Sequence, residues 1–343
     1  MKRFLVFLLA ATLTLGAASA LAVDIAILVP NADHGWTGAV LTYSEEKAAE
    51  INAAGVYTAA VFPASDQANQ IALLEDIIEN RSARSVVILP YDNTLETTMR
   101  KLADSGIPFV MYDRVIDAVY EWCVSSVKGD NEGIGIATAE RFIASGLQPG
   151  DPVLIIPGDN SSVPQMRNDG FFTTLLANGW TQEQVNAIHS TDYTGWSRAQ
   201  GKQLFVEWLD ASTVDEITAT RFIFTHDDEI AMGMLEALKG SEIDPVKKEA
   251  FLSAGVHLGT SSGLNEIYSV LKGIHQKDYS EEVARLADLF SVTYDPGMVQ
   301  IAIQDMVDFL DGKDVPKDHV VPVHVVDASN VSEFRGFGDP VSR

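Results

Sequence analysis

Cysteine is almost absent: Cys123 stands alone among 343 residues, so no disulfide can form within the chain and stability has to come from core packing. It follows Trp122 in an apolar setting, the mark of a small buried residue more than of a reactive thiol. Basic residues are scarce too, 24 Lys+Arg against 48 Asp+Glu, for a net charge of −24. A chain of that sign repels phosphate, which disfavours nucleic acid as a partner and reads instead as a solvated acidic surface. The seven histidines are scattered, with no H-E-x-x-H motif and no His/Cys cluster, so no metal is expected. The stretch KGDNEGIG (128–135) has spaced acids but lacks the rest of a calcium loop and its terminal Glu. VDIAILVP (23–30) is followed by NADHGW and not by G-x-G-x-x-G, so no nucleotide cofactor is expected. Beyond residue 22 no run approaches the roughly 20 apolar residues that would span a bilayer.

What is present begins with MKRFLVFLLAATLTLGAASALA, in which Lys2 and Arg3 precede an apolar run closed by Ala18, Ala20 and Ala22. This reads as a secretory signal peptide over residues 1–22, with no nearby Cys to take a lipid anchor. Its removal lowers the basic residues from 24 to 22 against 48 acids, a mature charge of −26. The remaining 321 residues suffice for about two domains.

Short β-rich runs then alternate with amphipathic stretches. Strands are expected at 23–30, 57–64, 85–90 and 107–113, separated by helices near 36–53, 67–82 and 94–105. Short connections between alternating elements are the signature of a parallel α/β layer, so one Rossmann-like lobe is complete by about residue 125. A second series follows: helices near 131–145, 164–178, 197–210 and 229–239, with strands at 152–158, 185–190, 221–227 and 250–256. A segment at 287–296, a helix at 297–311 and a strand-like run at 319–327 come last, so the chain is expected to cross back between finished lobes. The fold class is α/β, two Rossmann-like lobes with parallel-sheet cores joined by a multi-strand hinge. The first lobe is assigned 23–128 with 293–322, the second 129–292 with 323–343.

Several motifs sit at matching places in this frame: NADHGW (31–36), Asp113-Arg114 at a strand end, KGDNEGIG (128–135), QMRNDGF (165–171), WSRAQG (196–201) and THDDEIAMG (225–233). Together they resemble the type I periplasmic binding proteins, in particular the ribose-like monosaccharide branch, over essentially all of the mature chain. The resemblance implies two lobes closing over one small ligand at the carboxyl ends of strands. It places Asn31 and Trp36 on the first loop, Asp113 and Arg114 facing them, Arg167 and Asp227 on the second lobe, and Trp196 on an aromatic wall. His257 falls where the ribose protein uses a carboxylate, and Thr293 and Tyr294 fall near a crossover where it has Gln. The first loop carries one aromatic where that protein has two, so the pocket is expected to be tuned differently. The implied role is the periplasmic substrate-binding part of an ABC importer, a monomer with an inner-membrane permease as partner. It would carry no cofactor and catalyse no reaction.

A sugar offers hydroxyls that donate and accept and patches of C–H. It therefore calls for carboxylates, guanidinium forks and flat apolar walls, which Asp113, Asp227, Arg114, Arg167, Trp36 and Trp196 supply. Bland readings stand beside these: Asp113-Arg114 as a surface ion pair, Asp227 and Asp228 as helix caps, the tryptophans as core, with Tyr193 as a fallback for Trp196. A pentose, hexose, deoxysugar or furanose, a nucleoside, and a sugar acid held by the two arginines all remain open. The enzymatic rival is Gly259-Thr260-Ser261-Ser262-Gly263, which fits G-x-S-x-G with His319 and His324 downstream, as in a secreted Ser hydrolase. Against it, the segment reads as an ordinary strand-to-helix turn, and the doubled lobe is not that of a hydrolase.

Overall fold

The computed structural model describes residues 22–32, 35–274 and 277–338, so the expected signal peptide lies, but for Ala22, outside the described residues. The chain opens with β1 (Val23–Pro30), α1 (Gly35–Ala54), β2 (Ala59–Ala64), α2 (Gln67–Asn80), β3 (Ala83–Ile88), α3 (Glu96–Asp104), β4 (Phe109–Tyr112) and β5 (Ser125–Gly129). It continues with α4 (Asn131–Ala144), β6 (Val153–Ile156), α5 (Ser162–Ala177), α6 (Gln182–Asn186), β7 (His189–Ser190), α7 (Arg198–Ala211), α8 (Val214–Ala219) and β8 (Phe222–Thr225). Then come α9 (Asp228–Lys239), α10 (Pro245–Ser253), β9 (His257–Ser262), α11 (Asn265–Leu271), α12 (Ser280–Val283), β10 (Asp288–Thr293), α13 (Met298–Leu310), β11 (Asp318–Val321) and β12 (Val325–Val326).

The strands form two six-stranded sheets, ordered β11-β5-β4-β3-β1-β2 and β12-β10-β9-β8-β6-β7. Every pairing is parallel except β10 with β12. Parallel strands are covered on both faces, which is why Ile25 to Val29, Val86 to Ile88, Val153 to Ile156 and Phe222 to Phe224 are fully or almost fully buried. The fifth strand of each sheet sends its helix to the other lobe. β5 leads through Asp130 into α4, which packs on α5, β9 and β10; β10 leads into α13, which packs on β3, β4, β5 and α1. The third crossing lies between β11 and β12, which sit in different sheets; Pro322 between them has no N–H to continue a ladder. The single strand expected at 319–327 is thus two short strands divided between the lobes.

Three further expectations are corrected. Residues 250–256 do not form a strand: Pro245 in the first turn and the Asp244 carboxylate, accepting from Val246 N at 2.9 Å and Lys247 N at 3.2 Å, start α10. That helix stops before Gly255, which has φ near +70°. The strand is instead His257–Ser262, whose small polar residues give no apolar run to read, although Thr260 and Ser261 are fully buried. GTSSG is therefore mostly strand. In the stretch 185–190 only His189–Ser190 pairs, because a Thr181/Gln184 capping box starts α6 just before it. A second capping box, Thr213/Glu216, starts α8, a helix the periodicity did not suggest.

Candidate functional site between the lobes

Residues just beyond the carboxyl ends of strands in both sheets line one cavity of about 270 Å³, close to the ~300–1,000 Å³ usual for small-molecule clefts. The first lobe supplies Pro30, Trp36, Leu89, Tyr91, Asp113 and Arg114; the second supplies Asp159, Val163, Arg167, Trp196 and Asp227. Tyr294, on the crossover after β10, closes the hinge end.

Arg167 is the most confined of these, 2 % exposed. It is placed by close packing of α4 on α5. A Cβ at Gly135 would lie 2.0 Å from the Arg167 carbonyl oxygen, and one at Gly170 would lie 2.1 Å from that of Glu132. That approach sets Asn131, the first residue of α4, against the guanidinium. Arg167 Nε donates to Asn131 Oδ1 at 3.0 Å, while one Nη donates to Ser261 Oγ at 3.0 Å and to the His226 carbonyl. Aromatic rings cover both faces, Trp196 at 5.4 Å and Tyr294 at 4.9 Å from the guanidinium carbon. Burial lowers its pKa, and the acidic groups of Tyr294, Asp227, Asp113 and Asp159 oppose that shift.

Trp196 reaches the site through a tight turn. Gly195 and Trp196 both lie in the left-handed region, at φ 60° and 63°, and Gly195 N donates to the Gly158 carbonyl at 2.8 Å. The indole lies directly on Gly158, where a Cβ would fall 2.3 Å from the ring. Asp227 lies two residues beyond β8, caps α9 by accepting from Glu229 N at 2.8 Å, and faces the cavity. Half-buried beside a second carboxyl, it is pushed up to about 8, by burial first and by Asp228 next. Asp228 turns inward and is fully buried, receiving Gly263 N at 2.7 Å, Leu264 N at 2.8 Å and Ser291 Oγ at 2.8 Å. It thereby pins the turn between β9 and α11.

On the first lobe Asp113 sits at φ 61° and its N donates to the Val127 carbonyl at 2.8 Å, so a strained residue is held by the neighbouring strand. Its carboxylate accepts from the Tyr294 hydroxyl. Arg114 donates one Nη to the Tyr91 carbonyl, and its buried Nε has no hydrogen-bond partner among the described residues. Trp36 Nε1 donates to the Tyr294 carbonyl at 3.0 Å, with the two rings 5.7 Å apart.

The structure thus brings together Trp36, Asp113, Arg114, Arg167, Trp196 and Asp227 from the residues read out of the sequence. It does not bring the other three. Asn31 is exposed beside Pro30 and outside the lining. His257 opens β9, at the opposite end of the sheet from the cleft, and stacks on Phe222 at 5.0 Å and 11°. The misplaced strand at 250–256 explains this: what looked like the residue after a strand is the first residue of one. Thr293 faces the third crossover, its Oγ1 accepting from His324 N at 2.9 Å, and the cleft is met by the next residue, Tyr294. Tyr193 is an exposed neighbour of the turn and lines nothing here. Tyr91 and Asp159 were missed, and Tyr294 was named at its crossover but not chosen over Thr293, although each follows a strand (β3, β6 and β10), the rule that found Asp113 and Asp227. Ser261 is buried and committed, accepting from Arg167 and donating to the His226 carbonyl at 2.9 Å. No described histidine ring contacts its hydroxyl.

Comparison with known proteins agrees with this architecture. The fructose import binding protein FruE of Bifidobacterium longum is 23% identical over 274 residues, 78% of this chain and 74% of that protein. A galactofuranose binding protein superposes with a TM-score of 0.71 at 18% identity, covering 91% of this chain and 96% of its own. A periplasmic solute binding protein from Actinobacillus succinogenes, solved with D-allose bound, gives 0.69 at 17% identity, covering 91% and 99%. These likenesses establish the fold. The model of the periplasmic binding protein domain matches residues 25–314, and the chain belongs to that family.

Proposed function

We propose that the protein is the substrate-binding component of an ABC importer and captures a monosaccharide or sugar-like polyol between its lobes. The observation that carries this reading is an interlobe cavity lined by three carboxyls (Asp113, Asp159, Asp227), two guanidinium groups and four aromatic residues (Trp36, Tyr91, Trp196, Tyr294). Carboxylates accept from sugar hydroxyls, guanidinium N–H groups donate to them, and Trp36, Trp196 and Tyr294 offer apolar faces to C–H surfaces. Arg167 offers a ligand carboxylate no free fork, because its Nε and one Nη are given to protein acceptors and its faces are covered by rings, so a sugar acid would have to rely on Arg114.

Ligand contacts from both lobes stabilise the closed arrangement, which a membrane permease then reads. The protein works as an exported periplasmic monomer and catalyses nothing; Ser261 supports the Arg167 network. The relatives named for fructose import and galactofuranose, and the one solved with D-allose, make neutral monosaccharides the first ligands to try.

The test is a thermal-shift screen of protein stripped by unfolding and refolding, against pentoses, hexoses, deoxysugars, polyols, sugar acids and nucleosides. Ligand at 100 times its Kd adds about 2.7 kcal/mol of stability. A stereoselective neutral-sugar hit, lost in Asp227→Ala, supports the reading; a response to sugar acids or nucleosides alone overturns it.

A further inference from the structure

Tyr294, which the resemblance noted only beside Thr293 near a crossover, makes contacts to both cleft walls. Its backbone N donates to the Ser262 carbonyl at 3.0 Å in the second lobe, and its carbonyl accepts from Trp36 Nε1 at 3.0 Å in the first. Its hydroxyl donates to the Asp113 carboxylate at the end of β4 and accepts from Asn131 Nδ2 at 3.2 Å at the start of α4. One face of the ring covers the Arg167 guanidinium. The ring fits because Gly129, on the first crossover, has no side chain: a Cβ there would lie 2.1 Å from it. The two crossovers are therefore interlocked, glycine on one and tyrosine on the other. Burial, followed by the nearby Asp113 carboxylate, keeps the hydroxyl far above its ordinary pKa, so it remains a donor.

We infer that Tyr294 is a positioning residue, a hinge pin that holds the Asp113 carboxylate in its receiving orientation and sets how far the lobes separate. The ligand part of this inference rests on the proposed function. Asp113 occupies a left-handed backbone conformation that side-chain bonding must help maintain. With Oδ1 taken by Tyr294, the remaining oxygen is the one presented to a ligand hydroxyl. The pin also bounds the depth of the cavity at the hinge end, so it restricts which ring sizes and substituents enter.

The experiment uses two readouts. In ligand-free protein, interlobe distance is followed by a dye pair with one dye per lobe and by solution scattering. Tyr294→Phe and Asp113→Asn are each expected to widen the mean separation, and the double variant to widen it no further, because both remove the same bond. Unchanged separation in Tyr294→Phe, or additive effects, overturns the pin. For a sugar found in the screen, Tyr294→Phe is expected to weaken binding about tenfold and to lower discrimination between epimers. Unchanged affinity and discrimination overturn the positioning role. Gly129→Ala, which displaces the ring but keeps its hydroxyl, should reproduce the widening, and a wild-type separation in that variant also counts against the pin. The ligand-free readout separates the two ideas: if no sugar binds the wild type, the functional reading fails while the pin is still decided by distance.

Discussion

The first-lobe wall of the cleft and the second-lobe wall come from sheets of the same strand order, yet they hold their polar groups in opposite ways. On the second lobe Arg167 is 2 % exposed, donates to three acceptors and lies between two rings, and Asp227 is tied to the start of α9. On the first lobe Asp113 and Arg114 are half-buried, and among the described residues each side chain makes a single hydrogen bond, to Tyr294 and to the Tyr91 carbonyl. The difference teaches that one wall is a preorganised floor, its polar groups held by the protein's own bonds without a ligand. The other depends on the hinge and on the ligand to complete its bonding. Binding energy that need not be spent ordering the floor remains available for closing the lobes.

The largest effect should come from attacking the floor. Arg167→Ala leaves Asn131 Oδ1 and Ser261 Oγ without their donor and the His226 carbonyl with Ser261 alone, and each buried orphan costs about 1–3 kcal/mol. Urea unfolding should show a loss of roughly 3 kcal/mol or more together with loss of binding. Arg167→Lys should not restore either, since an ammonium cannot reproduce a planar fork under two rings. If Arg167→Ala proves as stable as Arg114→Ala, the contrast between the walls is broken.

Gly158→Ala comes next. The added methyl meets the Trp196 indole, and overpacking of that kind costs about 1–3 kcal/mol. The expected result is lost affinity with a changed tryptophan emission spectrum; an unchanged spectrum would mean that the turn yields easily.

Asp227 sharpens the comparison through pH. Its pKa is raised in the folded protein to about 8, against about 3.9 in an unfolded chain, so the folded state holds the extra proton between those values. The associated stability is fully present below the unfolded value and is lost as pH rises through about 8. Asp227→Asn should therefore have a flatter melting temperature from pH 5 to 9, gaining on the wild type as pH rises. Parallel curves for the two proteins would contradict the assignment.

The smallest effect on stability is expected at Arg114→Ala, within about 1 kcal/mol, because one exchanged hydrogen bond is at stake. Its effect on ligand affinity should be clearly larger than its effect on melting, the reverse of Arg167→Ala, and calorimetry beside thermal unfolding measures both.

Much of this was legible in the chain. The apolar runs at 23–30, 85–90, 152–158 and 221–227 read as strands because buried parallel strands need apolar side chains on both faces. Asp113 and Asp227 could be placed because each directly follows such a run. β9 was not legible: HLGTSS is buried through small residues that let Phe290, Thr138 and Phe142 approach Gly259, and nothing in its own pattern announces a strand. That single misreading carried His257 to the wrong end of the sheet. Thr293 was misplaced by one position, since side chains alternate along an extended strand and a shift of one residue exchanges cleft for crossover.

The sequence by itself determined the two α/β lobes, the acidic and disulfide-free character of the chain, and the strand ends at which charged residues collect, because periodicity, composition and turn chemistry are local properties. Only the tertiary structure decided which of those residues face one another. The Arg167 cradle is assembled from α4, α5, β8 and β9, the turn before α7 and the crossover after β10, and the room for Tyr294 is made by Gly129, 165 positions away in the chain. Such contacts depend on which crossovers lie side by side, and no local pattern records that.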